Sequence, residues 1–437
     1  MTNAHQRLVG LFGATLVGLS ALAGCGGEWD EAQDLDLETG SVVNGTSDLS
    51  GYPNERARTV PVNGLLVCSG VVLRPNVILT ARHCVTSDQT IGGPVFEPYH
   101  LSVGGVQAKE IYAPATNVDA AVALMKSDIA SPPLDFTVID PYAATRYVDF
   151  MVLQFMGYGK DNAGNVGTLR MGEGKITAAN QNYSVIGGSG KGAYLTDTVG
   201  GSATAVGDSG GPLWGYSQYP RGVAGVVSAG PGTPNARSIF AQAADFRHAV
   251  RTWLTQKIDS SISLPFDNAS DINNFTAVQG ASGTAPSWSV TGGNLVQSTN
   301  APQAMMIKKG IFENVFVSTG LSATESTALG VIVRYVDKEN FVRCEANVQN
   351  HTLKLIRRRA NAEQELGSVA WNGTFSGVMS VTASENKFTC TMAGTTLGPI
   401  TNSMFAAGRV GLWNHYNKGA KFTHLGVAQQ APVAGTW

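Results

Sequence analysis

At 437 residues the chain is too long for one ordinary core, and two folded domains plus processing segments are expected. A net charge of −2, with only 14% of residues charged, gives no argument for a nucleic-acid or acidic partner. The 52 glycines and 43% hydrophobic residues point to turn-rich β structure and away from disorder or a helical bundle.

The first element in chain order is an address rather than a fold. Arg7 supplies positive charge, and "LVGLFGATLVGLSALAG" (8–24) is an apolar run slightly short for a comfortable membrane span. It ends in "LAGC", which resembles the bacterial lipobox. A lipoprotein signal peptide over 1–24, lipidation of Cys25 and a tether or propeptide over 25–41 are therefore expected. A plainly cleaved signal and an uncleaved anchor are the alternatives, and each exports the chain. Its expected place is the bacterial cell envelope, or outside the cell after processing. In an exported chain the other four cysteines are disulfide candidates. Cys68 and Cys84 fall in the first proposed domain and Cys344 and Cys390 in the second, so one bridge per domain is the economical pairing. No cysteine spacing suggests zinc, and nothing calls for a cofactor.

"CSGVVLRPNVILTARHCV" (68–85) reads as two β-branched strands joined by a Pro-Asn turn, with His83 just past a strand end. In "VDAAVALMK" (118–126) Asp119 opens an apolar run. Its carboxylate is placed at the mouth of a buried strand, where it needs a donor such as an imidazole N–H. Asp128 is nearby, but only Asp119 precedes the apolar run. "VGDSGGPLW" (206–214) cannot be helix, and it sets Ser209 among glycines. "AADFRHAVRTWLTQKI" (243–258) holds the one convincing helical period, with Phe246, Val250, Trp253, Leu254 and Ile258 on one side.

"LTARHC", "VDAAVAL" and "GDSGGPL" occur in the order His, Asp, Ser, and residues 42–258 resemble the chymotrypsin/trypsin-like serine proteases. "VVNG" (42–45) resembles that family's mature amino terminus, "MGYGK" (156–160) its Gly-x-Gly strand turn, and "GVVSAG" (225–230) its substrate-lining strand. The resemblance implies a double β-barrel and an endopeptidase acting on protein or peptide substrates. It implies Ser209 as nucleophile, His83 as general base and acid, and Asp119 as the group that orients His83. The N–H groups of Gly207 and Ser209 would form the oxyanion hole. It also implies an activation pair, the α-amino group of Val42 freed by an activating protease that cuts Ser41–Val42, and the buried Asp208. Ser41 departs from the basic residue often found before such a cut. Cleavage there would also release the protease from its lipid.

By the same resemblance Ala203, Thr204, Ser228 and Gly230 line the specificity pocket. Ala203 stands where trypsin-like members carry an acid, and Ala229 stands where they carry tryptophan. A small or apolar residue before the scissile bond is expected.

Residues 259–275 are polar with Pro265 and no helical period, and read as a linker. From 276 to 437 the pattern is alternation over many strands, which implies a β-sandwich. In "FVRCEANV" (341–348) Val342, Cys344, Ala346 and Val348 face one way, with Arg343, Glu345 and Asn347 opposite; "KFTCTM" (387–392) behaves likewise. Cys344 and Cys390 both face inward, as a bridge or as two packed thiols. The strand rhythm and "GRVGLW" resemble laminin-G/concanavalin-like jelly rolls, which implies a polysaccharide ligand. Exposed Trp371, Trp413, His415 and Tyr416 are candidate stacking platforms, and the "RRR" run (357–359) reads as a solvated hairpin edge. The fold class is thus all-β, a chymotrypsin-like double β-barrel followed by a jelly-roll β-sandwich. Two other readings compete: an adhesive or carbohydrate-binding surface protein on a silent protease scaffold, and a carbohydrate-active enzyme in the sandwich. For the latter Glu313, Asp337, Glu339, Glu345 and Glu363 show no spacing that singles out an acid pair.

Overall fold

Mostly short strands, several of them almost continuously buried, close the amino-terminal half into two six-stranded antiparallel barrels. The computed structural model describes residues 42, 44–115, 117–129, 136–140, 147, 151–161, 166–185, 188–216, 220–230, 236–258, 261–323, 327–347, 349–373 and 376–430. The expected signal peptide, Cys25, the tether and Ser41 lie outside them. Short helix α1 (Pro53–Arg58) leads into barrel 1, made of β1 (Thr59–Asn63), β2 (Val67–Arg74), β3 (Val77–Thr80), β4 (Ser102–Val103), β5 (Val106–Tyr112) and β6 (Ala121–Met125). Barrel 2 comprises β7 (Val152–Gly157), β8 (Arg170–Val185), β9 (Gly188–Val199), β10 (Pro212–Trp214), β11 (Val223–Ala229) and β12 (Ser238–Gln242). The expected helix follows as α2 (Ala243–Lys257) and packs on β9, β11 and β12. Phe246, Val250, Trp253 and Leu254 are buried along it, and so is Arg251.

Two sheets make the sandwich. The seven-stranded sheet runs in space Phe275–Gln279, Ala304–Lys308, Arg409–His415, Ala328–Asp337, Asn340–Asn347, Thr352–Arg359, Ala362–Ala370. The nine-stranded sheet carries Val315–Ser322, Ser376–Ser384, Lys387–Met392 and Thr395–Thr401 as neighbours, and both sheets feed one core. Cys344 and Cys390 are bridged across that core, as Cys68 and Cys84 are in barrel 1.

Four expectations for this half change. The stretch read as a linker is built into the sandwich: Ile262–Leu264 pairs with Leu425–Gln429, and Phe266 is fully buried in the core. Polarity there reflects an outer strand and a capped 3-10 turn at Ala269–Asn274, not a free tether. Trp371 and Trp413, each 2% exposed, are packing residues rather than platforms, because alternation cannot say whether a sheet's second face is covered. Of the aromatic set, Tyr416 alone is well exposed, at 45%. The "RRR" strand lies between two others rather than at an edge, and Arg358 is buried. Arg343 and Glu345, expected in solvent, are buried too. The Arg343 guanidinium takes Glu345 at 2.7 Å and Glu363 in a fork at 2.7 and 2.9 Å, and lies over the Trp413 ring. That fork draws Glu345 and Glu363 together as ion-pair partners, and it holds Glu363 below the usual carboxylate range.

The two halves meet through buried charge. Arg251 of α2 forms ion pairs with Glu313 and, at 3.5 Å, with Glu385. Arg247 lies 3.8 Å from Glu385 and 4.0 Å from Glu313, and Arg74 of β2 lies 3.8 Å from Glu313. Asn314 donates to the Glu385 carboxylate at 2.7 Å, and Arg334 donates to its backbone carbonyl at 3.0 Å. Phe136 and Val138, which precede barrel 2, belong to the sandwich core.

Candidate active site

Strand register brings the first two candidates together. Thr80, the end of β3, pairs with Ala121, the start of β6. His83 follows the first strand and Asp119 precedes the second, so both project from the same end of barrel 1. The His83 ring Nδ1 is 2.8 Å from Asp119 Oδ2, and the His83 backbone N–H donates to Oδ1 at 3.0 Å. Asp119 is fully buried, while the His83 side chain keeps 14% exposure. Burial alone would push the imidazole pKa down, but the charge and hydrogen bond of Asp119 outweigh it and raise it. Burial likewise pushes Asp119 up, and its bonds to His83 and Ser228 more than reverse that, holding it low.

Ser209 comes from barrel 2, in the turn before β10. Its carbonyl accepts the Ser69 N–H at 2.8 Å and lies 3.7 Å from the sulfur of Cys84, the neighbour of His83. The Cys68–Cys84 bridge thus pins the histidine segment against the serine turn. Ser69, not anticipated from sequence, also donates to the Gly207 carbonyl at 2.8 Å and accepts the Tyr158 N–H at 2.8 Å.

Glycine is required at 207. Its φ is +98°, and a Cβ would sit 2.7 Å from the Gly159 Cα. In this turn the N–H groups of Asp208, Gly210 and Gly211 each find a carbonyl. Those of Gly207 and Ser209 find none among the described residues. Two free donors two residues apart in a tight turn are rare, because buried N–H groups are nearly always paired.

The Asp208 side chain points into barrel 2. Its Oδ1 accepts from Gly159 N–H at 2.9 Å and Oδ2 from Ala205 N–H at 3.0 Å. Gly157 and Gly159 form a cradle that a side chain would fill. No cation pairs with it among the described residues, and burial pushes its carboxyl up to about 7 despite the two N–H donors. Val42 is 1% exposed in the same barrel, where it lies so close that a Cβ on Gly172 would meet it at 2.7 Å.

The expected pocket residues divide. Ala203 and Thr204 are fully buried and carry no acid. Thr204 Oγ1 donates to the Ala229 carbonyl at 3.1 Å, and the two walls touch at Gly230. The Ser228 hydroxyl donates to Asp119 at 2.5 Å. The remaining metal-type cluster among the described residues, Cys68, His83 and Cys84, has both sulfurs tied in the disulfide and offers no thiolate.

Two closed six-stranded barrels, with His83 and Asp119 paired at one end of the first and Ser209 in a turn of the second, are the arrangement of the chymotrypsin class of fold. The family comparison agrees: residues 51–250 match the family model described as Trypsin, so this part of the chain is a trypsin-family domain with a serine protease fold. A carbohydrate binding module from Bacillus subtilis is similar at 10% identity and a TM-score of 0.30, over 36% of this chain and 92% of that one. No curated protein matches the chain.

Proposed function

We propose that the protein is an exported serine endopeptidase, made as a zymogen. The observations that carry this are the unpaired N–H groups of Gly207 and Ser209 and the His83–Asp119 couple, the two segments being tied where the Ser209 carbonyl lies 3.7 Å from the Cys84 sulfur. Ser209 Oγ attacks the peptide carbonyl while His83 takes its proton. The carbonyl oxygen, now negative, is held by the two N–H groups, each worth about 2.7–4 kcal/mol in the transition state. His83 then protonates the leaving amine, and water repeats the sequence on the acyl-enzyme. Asp119 keeps the Nδ1–H tautomer and stabilises the imidazolium.

Cutting Ser41–Val42 supplies the cation that Asp208 lacks. The Val42 side chain already sits in barrel 2, and a buried carboxylate without its partner is destabilising by about 3–5 kcal/mol. If Cys25 carries lipid, the same cut frees the domain from the membrane. The touching of Thr204 with Ala229 and Gly230 favours glycine, alanine or serine before the scissile bond. A polysaccharide ligand for the sandwich rests on Tyr416 and its neighbour His415, whose rings lie 4.7 Å apart.

The test is the intact mass of the exported protein before and after a fluorophosphonate. One adduct on a species beginning at Val42, absent in Ser209→Ala, is expected. A Val42 species that takes no adduct would mean a silent scaffold, with binding by the sandwich as the function.

A further inference from the structure

A second hydroxyl stands behind the one that meets the buried acid. Tyr183, near the end of β8, is buried with Ile91 and Ile239, and its phenol oxygen lies 2.9 Å from Ser228 Oγ. Ser228 Oγ in turn lies 2.5 Å from Asp119 Oδ2, the same oxygen that faces His83 Nδ1 at 2.8 Å. Proton counting fixes the direction. An ionised carboxylate only accepts, so the single hydrogen of Ser228 goes to Asp119, and the Tyr183 O–H must donate to Ser228. Burial, then the charge of Asp119, raises the phenol's pKa and keeps that hydrogen in place.

We propose that Tyr183 is a positioning residue of the triad, fixing the Ser228 hydroxyl on Asp119 so that Oδ2 holds both donors and His83 stays in one orientation. The inference rests on the serine-endopeptidase reading. A phenylalanine would fill the space beside Ile91 and Ile239 equally well, so packing does not explain the hydroxyl. Without that donor, the Ser228 hydrogen is free to rotate away from the carboxylate. The charge of Asp119 is then shared with fewer donors and acts more strongly on His83. The charged groups facing this chain are Asp119, His83, Arg82 beside the histidine and, at the start of α2, Asp245.

The experiment is a double-mutant cycle of Tyr183→Phe and Ser228→Ala in the processed enzyme, read by steady-state kinetics and by NMR titration of His83. Tyr183→Phe is expected to lower kcat about 3–10-fold with KM for a short substrate unchanged, and to raise the His83 pKa. Both effects should vanish in the Ser228→Ala background. Unchanged kcat and His83 pKa, or an equal loss with Ser228 already removed, would overturn the proposal. The His83 titration needs no turnover. A wild type that hydrolyses nothing yet shows the coupled pKa shift would therefore refute the endopeptidase reading while leaving the Tyr183–Ser228–Asp119 coupling standing.

Discussion

Two buried carboxylates, Asp208 in barrel 2 and Glu313 at the junction of the halves, have opposite surroundings. Glu313 is met by Arg251, Arg247 and Arg74, and although burial pushes it up, these cations hold it below the usual range. Asp208 has two backbone N–H donors and no cation among the described residues, and it is pushed up to about 7. The chain therefore finishes one site by itself and leaves the other unfinished. On the proposed reading, the uncompensated charge awaits the cut at Ser41–Val42, and the compensated one marks a fixed joint.

Their pH signs are opposite as well. Glu313 has a folded pKa below its unfolded one, so its stabilisation is present above the ordinary carboxylate range and is lost as pH falls. Asp208 has a folded pKa above its unfolded one. Its contribution is most favourable below about 4 and is lost as pH rises toward about 7.

The sharpest way to separate the candidate active site from the junction of the halves is to damage each. In the processed enzyme, Asp119→Asn is expected to cut kcat by roughly 10⁴-fold, as an amide in place of the acid does in Ser-His-Asp triads, with little change in melting temperature. Glu313→Ala should do the reverse, costing about 3–5 kcal/mol in denaturant unfolding because Arg251 and Arg247 lose a buried partner. In the unprocessed chain, Asp208→Asn should flatten the fall in stability between pH 4 and 7. Melting curves of both proteins across that range check this, and parallel curves would contradict it. The smallest effect is expected at the exposed Lys354–Glu365 pair, where Glu365→Ala should change stability by at most about 1 kcal/mol.

Much of the first half was legible because its chemistry sits in contiguous runs. His83, Asp119 and Ser209 each announce themselves by their neighbours, and the period over 243–258 marks the helix. What stayed hidden depends on contacts between distant residues. Nothing around Glu313 or Arg251 predicts their meeting, since both occupy ordinary positions in their own segments. Tyr183 reaches Ser228 only because a long β8 carries it there. Family resemblance makes Ser228 a pocket residue, and its bond to Asp119 is invisible in sequence because the two lie 109 residues apart. The linker, Trp371 and Trp413 were misjudged for a related reason: short-range pattern reports polarity, and burial of a second face is set by what packs over it.

The most direct measurement compares fluorophosphonate labelling rates of two defined forms, the chain beginning at Val42 and the same chain with Ser41–Val42 intact. The Val42 form should label once, at Ser209, at least about 100-fold faster, consistent with a buried ion pair worth about 3 kcal/mol or more. Equal rates would contradict the claim that the site is completed only when the Val42 amino group reaches Asp208.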